Sequence, residues 1–183
     1  VIPVLLIADG RFVKTRCFSN PVYVGDPVNV LSIFNEFEVD EIITLDISAA
    51  GSRTPQPLDS LRNYAEECFI PLAYGGGLTG LEQIGKVLRS GYEKVVVNSL
   101  LADQPDIVES AADRYGSQAI VASIDIRGES EERSVVVHGN RDVVKATPAN
   151  WARRAVDLGA GEILVTAVDR EGTGRGFDLE LVA

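Results

Sequence analysis

Three aspartates lie in or just after short apolar runs. Asp46 follows Ile42-Ile43-Thr44-Leu45, Asp125 lies between Ile124 and Ile126, and Asp169 follows Ile163-Leu164-Val165-Thr166-Ala167-Val168. A carboxylate at the C-terminal end of a buried strand is a candidate general acid or base. For Asp46 and Asp169 a carboxylate that only bonds loop amides is an equal alternative; for Asp125 the apolar neighbours favour chemistry. Glycine provides anion chemistry of another kind, because a chain without Cβ atoms can approach a ligand and aim its amides at it. Gly75-Gly76-Gly77 follows one apolar run and Asp169-Arg170-Glu171-Gly172-Thr173-Gly174-Arg175-Gly176 another. Asn98-Ser99 can add amide and hydroxyl donors to the first set, and Thr166 is grouped with Asp169, Glu171, Gly172 and Thr173 in the second. Two such grips suit a ligand with two phosphates, whereas a tight strand-to-helix turn is the other reading of Gly75–77. Glu41, Lys94 and Glu162 each open a strand candidate. Pointing inward they would form a charged ring that must pair or stay wet; otherwise they are solvated strand starts. His138, the single histidine, is read as a loop residue before a substrate contact, and Trp151 as packing.

These residues need a scaffold of alternating elements. Strand candidates are Ile2–Ala8, Glu41–Ile47, Pro71–Tyr74, Lys94–Asn98, Ala119–Ile126 and Glu162–Val168, with continuous apolar runs, as in strands covered on both faces. Helices are expected over Pro27–Phe37, Leu58–Glu67, Leu81–Ser90, Pro105–Tyr115 and Pro148–Leu158. Asp26-Pro27 and Thr147-Pro148 put a capping side chain before a proline that suits the first helical turn. Gly91, Gly116 and Gly159 fall at helix C-termini, and a hairpin is expected over Arg133–His138. Repeated βα units with short connections predict an α/β fold with a parallel sheet.

The chain also repeats itself. A shift of 121 residues takes Pro27 onto Pro148, and the same shift takes Asp40-Glu41-Ile42-Ile43 onto Gly161-Glu162-Ile163-Leu164. Two similar halves of about four βα units make a (β/α)8 barrel. The expectation is one barrel domain over residues 1–183, with a half-barrel at 1–118 and a partial second half at 119–183. Six of eight strands are counted, so the chain is expected to be part of a barrel of about 250 residues. The absence of any methionine agrees with that.

Bulk properties bound the partners. A net charge of −10 in 183 residues, with a pI near 4.6, argues against nucleic acid or an anionic membrane surface. No apolar run is long enough to span a bilayer. Cys17 and Cys68 have no metal or redox spacing and are read as reduced thiols of a cytoplasmic protein. Neither a cofactor nor a metal is expected.

Together these stretches resemble the HisF family, the cyclase half of imidazole glycerol phosphate synthase. The resemblance is carried by Ile2-Pro3-Val4-Leu5, Asp9-Gly10-Arg11-Phe12-Val13-Lys14, Leu45-Asp46-Ile47, Gly75-Gly76-Gly77, Lys94-Val95-Val96-Val97-Asn98, Ser123-Ile124-Asp125 and Asp169-Arg170-Glu171-Gly172-Thr173. It implies a barrel that takes ammonia from a HisH-like glutaminase on its bottom face, past a gate matching Glu41, Lys94 and Glu162. It further implies closure of an imidazole ring on a bisphosphorylated intermediate, with one aspartate from the first strand and one from the fifth as acid and base. The fifth-strand partner matches Asp125, and Lys14 matches the lysine of a mobile loop after the first strand. The first-strand partner falls on Leu6, which the repeat places opposite Asp125, and Ala8 stands where the family carries lysine. Glu171 stands where the histidine enzyme usually has aspartate.

Some HisF-like proteins associated with surface-polysaccharide genes resemble this chain in Ile-Pro-Val-Leu-Leu and in Cys68-Phe69-Ile70-Pro71-Leu72-Ala73-Tyr74. They accompany a glutaminase and an amidotransferase that form an amidine on a sugar. The resemblance therefore implies an ammonia-delivering synthase subunit in sugar amidation. A true cyclase (lyase) of histidine biosynthesis and a non-catalytic phosphate-binding subunit are the alternatives.

Overall fold

In the computed structural model, residues 1–49 and 54–182 are described, Glu131 by its backbone only. They group into two compact units, Val1–Lys14 with Val22–Val96, and Thr15–Pro21 with Val97–Ala183.

In the first unit β1 (Val4–Ala8) runs parallel to β4 (Ile42–Asp46), which is parallel to β5 (Leu72–Gly75), itself parallel to β6 (Lys94–Val97). On its other edge β1 pairs antiparallel with β2 (Arg11–Arg16), Leu6 opposite Val13, and β3 (Ser19–Gly25) follows β2; the tip of this arm, Thr15–Pro21, groups with the second unit. Helices α1 (Pro27–Glu36), α2 (Leu58–Glu67) and α3 (Leu81–Arg89) alternate with the strands. The Asp26 carboxylate accepts the Val28 N–H at 3.1 Å ahead of Pro27, so α1 begins where its capping pair predicts. The core is built from Ile7, Leu31, Ile42, Leu61, Ile84 and Val95, all fully buried. Tyr74 and Tyr92 meet edge to face at 5.9 Å.

In the second unit β7 (Ile120–Arg127) is buried along all but its last residue. It pairs parallel with β10 (Glu162–Ala167) and antiparallel with β8 (Ser134–Val137), to which the short β9 (Asp142–Val143) is added. The helices are α4 (Ser99–Asp103), α5 (Pro105–Tyr115), α6 (Pro148–Asp157) and α7 (Leu179–Val182). Thr147 Oγ1 accepts the Asn150 N–H, as Asp26 does for α1. Trp151 is buried on α6, a packing residue.

The strand pairing puts the repeat on a structural footing. Leu6 of β1 lies opposite Leu45 of β4 and Val13 of β2; Asp125 of β7 lies opposite Thr166 of β10 and Val136 of β8. The 121-residue shift carries Leu45 onto Thr166. The shift itself carries Leu6 onto Arg127, two residues beyond Asp125; by the strand pairing, Leu6 occupies in β1 the place that Asp125 occupies in β7.

The expected strands and helices are all present to within two residues at their ends; the hairpin expected over Arg133–His138 covers β8 alone, which pairs antiparallel with β7 and with β9 further on. The segment after the first strand that carries Lys14 forms the arm β2–β3, and Lys14 is an exposed strand residue on it. Its turn, Cys17-Phe18, has φ of 52° and 58° at both residues. Hairpin turns with two positive φ values normally carry Asn or Gly, so the residue types concealed this one. The helix α4 was also not expected.

Candidate functional site

In the first unit Asp46 ends β4, buried, and its carboxylate accepts the Ser48 N–H (3.0 Å), the Ser48 hydroxyl (2.6 Å), the Ala49 N–H (3.3 Å) and the Gln56 side-chain amide (2.8 Å). Its acceptor positions are taken up by the connection that follows β4. Gly76 and Gly77 crowd that connection, while Gly75 packs between Leu45 and Val96. A Cβ on Gly76, at φ 124°, would lie 2.5 Å from the Asp46 carbonyl oxygen, and one on Gly77 2.5 Å from the Thr54 carbonyl carbon. These glycines are demanded by close backbone packing, and the Tyr74 hydroxyl accepts the Gln56 N–H at 2.9 Å beside them. Gly76→Ala is expected to cost about 2–4 kcal/mol from steric overlap and positive φ together. Urea unfolding checks this; an unchanged midpoint would show that the backbone there yields.

At the other end of these strands Glu41, just before β4, and Lys94, first in β6, form an ion pair at 2.6 Å. Glu41 is 7% exposed, and its second oxygen is buried without a hydrogen-bond partner among the described residues. Glu162 opens β10 in the second unit, the repeat equivalent of Glu41, and is exposed.

In the second unit Asp125 is buried on β7. Asn98 Nδ2 donates to its Oδ2 at 3.2 Å and to the Ser123 carbonyl at 3.0 Å. Burial pushes its carboxyl up to about 7, against the opposing hydrogen bonds of Thr166 and Ser123. A carboxyl titrating there can both give and take a proton near neutral pH. Asp169 accepts the Gly128 N–H at 2.7 Å, a loop-organising bond of the kind left open for it. Glu171 clasps the β2–β3 turn: its carboxylate accepts the Thr15 hydroxyl (2.8 Å) and the Phe18 N–H (3.1 Å), and its carbonyl accepts the Cys17 N–H (2.9 Å). Any side chain at Gly172 would collide with the Thr15 carbonyl, 2.0 Å from its Cβ position. Thr173 turns back on its own loop, its hydroxyl donating to the Arg170 carbonyl at 2.7 Å.

One feature escaped the sequence. Arg133 donates to both oxygens of buried Asp178 at 3.0 and 3.1 Å, with Arg170 Nε 3.8 Å from the same carboxylate. Arg175 reaches the Asp169 carbonyl. Arg133 and Arg170 thus converge on Asp178, while Arg175 folds back on the Asp169–Gly176 loop that carries it. Arg133 follows the acidic stretch Glu129–Glu132, which reads as a solvated surface. His138, read as a loop residue, lies in the turn after β8: its ring contacts Asp142 and Asp103, and its backbone N–H donates to Ser99 Oγ. No cluster of His, Cys, Asp or Glu able to hold a metal occurs among the described residues, and no helix there is long and apolar enough to cross a membrane.

A mostly parallel succession of βα units, with carboxylates and glycine loops at the strand C-termini, defines an α/β protein of the (β/α)-barrel class. The chain belongs to the histidine biosynthesis protein family, whose pattern matches residues 1–183. It is 43% identical to the "Putative imidazole glycerol phosphate synthase subunit hisF2" of Pseudomonas aeruginosa, over all of this chain and 73% of the relative. It is 42% identical to the imidazole glycerol phosphate synthase subunit HisF of Endomicrobium trichonymphae, with 70% of that relative covered, and 39% identical to that of Streptococcus mutans, with 73% covered.

Proposed function

We propose that this chain is the synthase subunit of a glutamine amidotransferase pair. It receives ammonia from a HisH-like glutaminase docked at the strand-start face of a single barrel domain, and delivers it to a phosphorylated or sugar substrate in amidated-polysaccharide biosynthesis. The observation that carries this reading is the register: Leu6 stands opposite Leu45 where Asp125 stands opposite Thr166. A leucine moves no proton, so a reaction needing two carboxylates loses one while a step needing only Asp125 keeps its group. The Glu41–Lys94 pair supports passage of ammonia at the strand starts, with Glu162 as the equivalent acid of the second half. Gly75–77, Asn98, Ser99 and Asp46 in the first set, and Thr166, Asp169, Glu171, Gly172 and Thr173 in the second, hold or shape the phosphate loops. Lys14, exposed on β2, reaches the substrate. The thiols of Cys17 and Cys68 are free, in keeping with a cytoplasmic protein.

With free ammonia and the phosphoribulosyl-aminoimidazole substrate, the native chain is expected to close the ring at least about 100-fold more slowly than Leu6→Asp. Native turnover that is lost in Asp125→Asn would establish the second reading, a true cyclase. That reading is favoured by the carboxyl of Asp125, poised at about 7.

A further inference from the structure

Asp125 is the end of a chain of hydrogen bonds that begins in the turn after β8. Asn98 Nδ2 donates to Asp125 Oδ2 at 3.2 Å. The other end of that side-chain amide, Oδ1, accepts from the Ser99 hydroxyl at 3.3 Å, and Ser99 Oγ accepts the backbone N–H of His138 at 3.1 Å. Orientation passes along this chain for a simple reason. A hydroxyl has a single proton to give. With one lone pair of Ser99 Oγ facing the His138 N–H, its proton is directed to Asn98 Oδ1. An amide held by Oδ1 must turn its NH2 toward the carboxylate. Turned over, Asn98 would present an oxygen to an oxygen.

His138 itself is fixed from two elements. Its Nδ1 lies 2.8 Å from Asp142 of β9 and its Nε2 3.1 Å from Asp103, the last residue of α4. Ser99 is the first residue of that same helix. The ring therefore ties the β8–β9 turn to one end of α4, while the His138 backbone ties it to the other. The residue sits at φ 56°, and Arg141 Nε donates to its carbonyl at 2.7 Å. A backbone in that region persists only where surrounding contacts impose it. The groups facing Asp125 from its neighbours are Asn98, Ser123, Thr166 and Val136, none of them charged; those facing His138 are Asp103, Asp142 and Arg141.

We infer that His138 is a positioning residue: clamped between Asp103 and Asp142, it sets Ser99 and Asn98, and through them the carboxyl of Asp125. The inference rests on the proposed role of Asp125 as the proton-transfer group.

The test is to label the full chain with ¹³C-carboxyl aspartate, identify the Asp125 signal by its loss in Asp125→Asn, and titrate it. Ser99→Ala, His138→Asn and Asp142→Asn are compared; asparagine tolerates the positive φ of position 138, and Asp142 is 66% exposed. Each variant is expected to raise the Asp125 midpoint by about half to one pH unit, because a hydrogen bond to the charged form is weakened. Ser99→Ala combined with Asp142→Asn is expected to go no further than Ser99→Ala alone. An unmoved midpoint, or additive shifts, would overturn the coupling. Should Ser99→Ala fail to fold, Asp142→Asn decides the question alone. A midpoint that moves while Asp125→Asn leaves ammonia transfer untouched supports the coupling and sinks the proton-transfer reading instead.

Discussion

Asp125→Asn is expected to make the protein more stable at pH 8 while removing its proton chemistry. Burial holds the Asp125 carboxyl up at about 7, against 3.8 for an unstrained aspartate. Below about pH 4 both folded and unfolded chains carry the proton, and the group favours neither. Between about 4 and 7 the unfolded chain releases the proton and the folded one keeps it. Stability from this group therefore falls as pH rises through that window, and levels off above it. An asparagine is never ionised and escapes the loss. The expected gain is on the order of 2–4 kcal/mol at pH 8, shrinking to nothing near pH 4. In a Leu6→Asp background the same change is expected to lower ring closure by about 10²–10⁴-fold. Urea titrations at the two pH values and one rate assay check both halves. Equal stabilisation at pH 4 and 8 would mean that packing, and not ionisation, sets the cost of Asp125.

That trade was half legible in the sequence. Asp125 stood out because Ile124 and Ile126 flank it, and burial between apolar residues is what the strand then provides. The alternating elements were legible because each parallel strand is a largely continuous apolar run and two of the helices, α1 and α6, start on a capping pair. The arm β2–β3 was not, because its turn uses Cys17 and Phe18 at positive φ, supported from outside by Glu171. A strained turn held by a residue more than 150 positions away leaves no local signal. Arg133–Asp178 is hidden in the same way: two ordinary charges whose pairing across 45 positions only the fold creates. For Asp46 the sequence offered two readings of one residue, and its four loop contacts show how fully a strand-end carboxylate can be engaged in shaping a turn.

The two units also differ where the repeat would make them alike. Each has a central strand with a parallel neighbour on one side and an antiparallel arm on the other. Only the second places a polar pair, Asp125 and Thr166, at the register where the first places Leu6 and Leu45. An apolar pair there packs without any hydrogen-bond requirement, and the stability cost that Asp125 carries is absent from the first unit.

Lys94→Ala is expected to destabilise the chain by about 3 kcal/mol, because it leaves Glu41 as a buried carboxylate without its counter-charge. Loss of the pair as a whole is a different matter. Replacing both partners, Glu41→Leu with Lys94→Met, removes the desolvation cost with the attraction, and such exchanges are often neutral or stabilising. The double variant is thus expected to unfold within about 1 kcal/mol of the native chain. This separates structure from transport. If the charged pair serves ammonia passage, the restored double variant should still lose glutamine-driven activity with a glutaminase partner while keeping the activity driven by free ammonia. A double variant that regains stability and retains glutamine coupling would show that the Glu41–Lys94 pair has no part in ammonia passage.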